Sequence, residues 1–142
     1  MYFKKTIPTV VKLIVTVNAL AFVISFLFWL IIYIKLFSGN SSFADTDRML
    51  ISSTFGFMIA DIIWALPLLA VSIYGLKNMT FYGWASAQAA NILWFYSMTS
   101  LWSRDVYGGV INPGNFIFLP FFIFSFFSAY YLWKNRGLFG VK

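Results

Sequence analysis

Cysteine, histidine and glutamate are absent from the 142 residues, and only 10% are charged. Without cysteine there is no disulfide, iron–sulfur cluster or catalytic thiolate. Without histidine, ordinary haem ligation and the commonest zinc and copper sites are gone as well. Acid chemistry rests on Asp45, Asp47, Asp61 and Asp105 alone, too few for a carboxylate metal cluster or paired-acid hydrolysis. The many serines have no histidine or intramembrane lysine beside them to act as base. Intramembrane aspartyl proteolysis needs two facing aspartates, and the spans hold one. The expectation is a protein that is not an enzyme and takes no cofactor and no metal. What replaces charge is apolar surface: 61% hydrophobic and 23% aromatic residues with a mean hydropathy of +0.83, where soluble domains carry ~25% charged residues. A single domain this apolar covers itself with lipid.

Leu13 to Ile34 is a run without a charge, bounded by Lys12 and Lys35, and long enough for a hydrocarbon core that takes about 20 helical residues. A cleaved secretory leader is the competing reading of Lys4, Lys5 and Lys12 ahead of it. The run exceeds the ~7–15 residues of such a leader and ends in Lys35-Leu36 rather than a small-residue cleavage motif. Ser38 to Ser42, with Asp45, Asp47 and Arg48, reads as a polar connection. Met49 to Leu76 follows with Asp61 as its only charge, giving a second span over 53–76 and a kink at Pro67, which lacks the amide that would bond the Ile63 carbonyl. Lys77 to Thr80 is a tight turn, and Phe81 to Leu101 the third span. Ser103 to Asn115, with Gly108-Gly109 and Asn112-Pro113-Gly114, has loop chemistry, and Asn115 is a candidate cap. Phe116 to Trp133 is the fourth span. The fold class is therefore an all-α membrane protein, a four-transmembrane-helix bundle forming one integral domain.

Lysine and arginine set its orientation. Lys4, Lys5, Lys12, Lys77, Lys134, Arg136 and Lys142 lie at one end, against Lys35, Arg48 and Arg104 at the other, so the positive-inside rule places both termini in the cytoplasm, with the plasma or inner membrane as the expected location. Asp45, Asp47 and Asp105 offset the three outer cations. The net charge of +6 is thus explained by topology and anionic headgroups, and a nucleic-acid partner is not indicated.

Small residues at four-residue spacing mark where helices approach inside a bilayer. Ser52, Gly56 and Ala60 on the second span and Gly83 and Ala87 on the third predict an antiparallel hairpin. Asn18, Ala21 and Ser25 share a face of the first span, as do Ser125 and Ala129 on the fourth. Trp102, Trp133, Tyr130 and Tyr131 suit the interfacial belts, and most phenylalanines face lipid.

Asp61 is the most informative residue, because an ionisable group inside a span is costly and marks a functional site by default. A rise of ~1.5 Å per residue from Leu76 places it about 22 Å up a ~30 Å core, level with Trp29, Trp94 and Phe118. Trp64 falls on its own face one turn further in, with Phe57 one turn further out. Gln88 and Asn91 lie deeper on the third span's stripe with Ala87 and Trp94. The candidate ligand site is Asp61, Trp64, Gln88, Asn91 and Trp94, with Asn18, Trp29 and Tyr96 as an additional pocket. No basic residue lies within a span, and Arg104 stands about 12 Å away along the axis. In one reading the carboxylate and tryptophans hold a small lipophilic cation or a proton. In the other, a protonated Asp61 bonds Asn91, Gln88, a serine or a backbone carbonyl as internal glue in an accessory subunit of a larger membrane complex. A homodimer enclosing a pathway is the further partner that four spans allow.

Overall fold

The computed structural model describes residues 6–37, 45–109 and 113–141. The Ser38–Ser42 connection and Lys4, Lys5 and Lys142 lie outside them. Every regular element among the described residues is helical: α1, Thr9–Phe37; α2, Asp45–Ala60; a π-helical segment, Asp61–Ala65; α3, Leu66–Lys77; α4, Phe81–Gly108; α5, Pro113–Lys134; and a 3₁₀ turn, Arg136–Phe139. The segments from Asp45 to Lys77 run on without a break, so the chain makes four antiparallel rods. Three stretches, Thr9–Lys35, Ile51–Lys77 and Gly114–Lys134, are long and apolar enough to cross a membrane. The fourth rod, α4, has the length but carries Gln88, Asn91, Arg104 and Asp105.

At the hairpin between α3 and α4, Thr80 caps α4. Its hydroxyl donates to the Gly75 carbonyl at 2.9 Å and accepts the Gly83 amide at 3.3 Å. Gly75 and Gly83 bring the two backbones together: a Cβ on either would sit well inside 3.0 Å of the other's backbone. The tight turn is thus where the sequence places it, but its small-residue ridge is only half as expected. Gly83 and Ala87 are buried, whereas Ser52, Gly56 and Ala60 are exposed and Gly56 faces open space.

The cause lies at Pro67. Around a residue that cannot donate an amide, the helix loosens into the π-helical segment, where the Leu66 amide bonds the Asp61 carbonyl five residues back. Such a turn holds one extra residue, and one residue is about 100° of helix. Everything before Asp61 is therefore rotated away from the face that a regular helix would present. Thr54 and Phe57 come inward with Asp61; Ser52, Gly56 and Ala60 go outward.

Two further boundaries differ from the sequence reading. Asp45, Asp47 and Arg48 begin α2 instead of ending a loop, and α4 continues past Leu101 to Gly108, so Arg104 and Asp105 are helical. Gly109, left-handed at φ 63°, ends α4 by returning its amide to the Asp105 and Val106 carbonyls. Helix α5 starts at Pro113, a residue suited to a first turn, which puts Asn115 inside the helix rather than at its cap.

Packing divides the molecule along its length. α3 is central, with α1 on one side and α4 on the other, and α5 packs on α4. At the end holding the hairpin turn, Val11, Ile14, Val15, Leu76, Met79, Ala87, Leu132 and Phe139 form the main core. A thinner layer follows, where Ala21, Leu69 and Ala90 meet Phe22, Trp94 and Phe121. Beyond that layer the rods enclose a cavity.

Candidate functional site

The cavity has about 90 Å³ of water-accessible space. Ser25, Phe28, Trp29 and Ile32 line it from α1, Thr54 and Phe57 from α2, and Asp61 from the π-helical segment. Trp94, Ser97, Met98, Leu101 and Arg104 come from α4, and Gly114, Asn115 and Phe118 from α5. The walls are largely aromatic: Phe28 meets Trp29 and Phe118 edge-on at 5.0 Å each, and Phe118 lies 5.7 Å from Trp94, which stacks on Phe121. Phe28 also packs on Gly114, closing α1 against α5.

Asp61 lies at the inner part of this space. Its Oδ2 accepts the Trp29 indole N–H at 2.9 Å, while Oδ1 accepts nothing from the described residues. Ser25, Thr54 and Ser97 also line the cavity, and their hydroxyls have no hydrogen-bond partner among the described residues. Ser25 is 95% buried (5% exposed). A smaller space of about 30 Å³ continues beneath Asp61, between Ser25, Ala65, Leu69, Ala90, Leu93, Trp94 and Ser97. Below it, the layer of Ala21, Leu69 and Ala90 closes the way.

Arg104 stands at the other end of the cavity. Its Nε and Nη2 both donate to Asp105 Oδ1, at 3.0 and 2.8 Å, and its Nη1 donates to Ser53 Oγ at 3.3 Å. Asn115 donates to the second oxygen of Asp105, which is buried. The adjacent pair, placed in a loop by the sequence, is thus a junction of α2, α4 and α5. Because Asp105 meets the guanidinium, Asp61 is the one charged group among the described cavity-lining residues without an ionic partner.

The residues singled out in the sequence separate into groups. Asp61, Trp29 and Trp94 come together at one level, as the helical rise implies, and Phe118 and Phe57 join them. Trp64 does not: the π-helical geometry turns it outward, 63% exposed, and Ala65 and Leu69 lie beneath Asp61 in its place. Tyr96 is 67% exposed, on the outside of α4. Gln88 and Asn91 serve α5 instead of Asp61. Gln88 Nε2 donates to the Ala129 carbonyl at 3.1 Å, and Asn91 Nδ2 reaches Ser128 Oγ at 3.2 Å and Gln88 Oε1 at 3.3 Å. Asn18 is likewise engaged, donating to Ser72 Oγ at 3.0 Å, which donates onward to the Leu69 carbonyl. These amides form polar rungs between rods. Missed from the sequence were Ser25 as a cavity residue, read there as packing only, and Arg104, whose distance from Asp61 along the axis hid their shared cavity. No protein-family model, curated protein or solved structure matches this chain.

Proposed function

We propose that the protein is a four-span membrane protein that binds, and by extension transports, a small cation or a proton at Asp61. The observation that carries this is an uncompensated carboxylate inside a cavity lined by aromatic faces and unused hydroxyls. An aspartate at such depth costs ~2.5–3.5 kcal/mol when charged, so its retention calls for a compensating positive occupant or proton. The aromatic walls favour cations through their negative faces. The modest volume favours a small occupant over a drug-sized lipophilic ion. Lys12, Lys77, Lys134 and Arg136 share the end with the packed core, while Lys35 and Arg104 belong to the cavity end. By the positive-inside rule the cavity then opens away from the cytoplasm, with both termini inside and the plasma membrane as location.

A second reading follows from the Trp29–Asp61 bond, which ties α1 to the second rod. Asp61 is then glue within a non-catalytic accessory subunit, and the exposed Trp64, Ile92 and Tyr96 are surface for a larger membrane complex or a second copy. The bond differs from the glue expected in the sequence, since it does not involve Gln88 or Asn91.

Thermal unfolding of the detergent-solubilised protein distinguishes the two. A ligand held only by the native state at a hundred times its Kd stabilises by about 2.7 kcal/mol. A cation and a proton compete for one carboxylate, so stabilisation by added small ammonium or alkali cations is expected to grow from mildly acidic to alkaline pH. It is expected to vanish in Asp61→Asn. A uniform loss of stability in Asp61→Asn, with neither cation nor pH affecting wild type, would favour the accessory-subunit reading.

A further inference from the structure

Three observations converge on the small space beneath Asp61. Its polar side-chain groups without a partner among the described residues include three oxygens, from Asp61, Ser25 and Ser97, and Ser25 is almost fully buried. A proton would require only the carboxylate and leaves unexplained the hydroxyls of buried Ser25 and half-buried Ser97, which have no hydrogen-bond partner among the described residues. Its volume, about 30 Å³, suits about two water-sized occupants at ~10–15 Å³ each and excludes a quaternary ammonium or a larger organic ion. The charge is a single carboxylate, so a monovalent ion makes the site neutral, whereas a divalent ion leaves an unpaired charge away from water.

We infer that this space is a binding site for a sodium-sized monovalent cation, with Asp61, Ser25 and Ser97 supplying oxygen ligands. Hard cations take oxygen donors, and carboxylate, hydroxyl and water meet that requirement together. The larger cavity above has room for water and runs from Asp61 toward Arg104 at the outer end, and the Ala21, Leu69 and Ala90 layer stops the ion from passing inward. Trp29 holds Oδ2 and so leaves Oδ1 for the ion. The inference rests on the cation-binding reading of Asp61 and names the class of its ligand.

The test is thermal unfolding of the full chain in detergent at alkaline pH and constant ionic strength, titrating sodium chloride against N-methyl-D-glucamine chloride, with potassium and tetramethylammonium as comparison salts. Each variant is compared with its own sodium-free midpoint. Sodium is expected to raise the wild-type midpoint in a saturable manner and potassium to do so more weakly. Ser25→Ala and Ser97→Ala each remove one oxygen with little change of volume. Each is expected to raise the half-saturating sodium concentration about 10-fold or more, as lost support commonly does at metal sites. Asp61→Asn is expected to abolish the response. Sodium midpoints equal to those in N-methyl-D-glucamine, or an undiminished response in both serine variants, would overturn the inference. If tetramethylammonium or pH still acts through Asp61 in that case, the broader cation-binding reading stands; if no cation and no pH change has any effect, both fall.

Discussion

Gly83→Val is expected to unfold the hairpin or lower stability by about 3 kcal/mol or more, which places it among the severe packing changes. Even Gly83→Ala is expected to destabilise, although alanine gains about 1 kcal/mol in helix propensity. The added methyl would meet the Gly75 backbone rather than the end of a flexible side chain. Neither helix can rotate away, because Thr80 bonds both Gly75 and Gly83 within the same turn. Gly56→Ala supplies the internal comparison: open space surrounds Gly56, so the propensity gain stands unopposed and the variant should match or exceed wild type. Midpoints of thermal unfolding in detergent for the two alanine variants would show a clear separation in that order. Equal midpoints would mean that the two backbones do not approach as described.

Arg104→Ala is expected to cost about 2 kcal/mol, below the ~3–5 kcal/mol for breaking a fully buried pair, because the guanidinium is 22% exposed while Asp105 is 7% exposed. The loss has two parts. Asp105 Oδ1 keeps its charge and loses both guanidinium bonds, and α2 loses the tie from Ser53 to α4. Removing the second charge as well relieves the first part alone. The double variant Arg104→Ala/Asp105→Ala should therefore be less destabilised than the sum of the singles, a positive coupling measurable in a double-mutant cycle. Strict additivity would show that the pair contributes no coupling and that the junction is held by packing.

Much of this architecture was legible because hydropathy and a constant helical rise are local properties. The charge-free run from Leu13 to Ile34 marks one rod, and the short polar turn at Lys77 to Thr80 marks the hairpin. Counting residues along each span put Trp29, Trp94 and Phe118 level with Asp61, where the structure has them. The buried stripe of Asn18, Ala21 and Ser25 follows from ordinary helical periodicity. Faces failed where periodicity failed. Pro67 announced a disturbance but not its form, and the extra residue of a π-helical turn misassigned Trp64, Gly56 and Ala60 together. The outer end of α4 was obscured for another reason. Arg104 and Asp105 lower local hydropathy and so suggest a loop, yet their charges are satisfied by each other, Ser53 and Asn115, which lets the helix continue. The long-range choices of Gln88 and Asn91 depend on which rods become neighbours, and no periodicity within α4 encodes that.

The π-helical segment also divides the second rod into two halves that are held differently. α3 is wedged between α1 and α4, with Leu69, Ser72 and Leu76 buried, whereas α2 exposes Gly56, Ile59 and Ala60. A swing of α2 about Asp61–Ala65 would leave the packed end at rest and move Thr54 and Phe57 on the cavity wall, with Arg104 and Trp29 as the latches to release. Motions of that kind run on microsecond to millisecond timescales. In the cation-binding reading, access to Asp61 would then be timed by the rocking of one half-helix rather than by how fast an ion diffuses to the mouth.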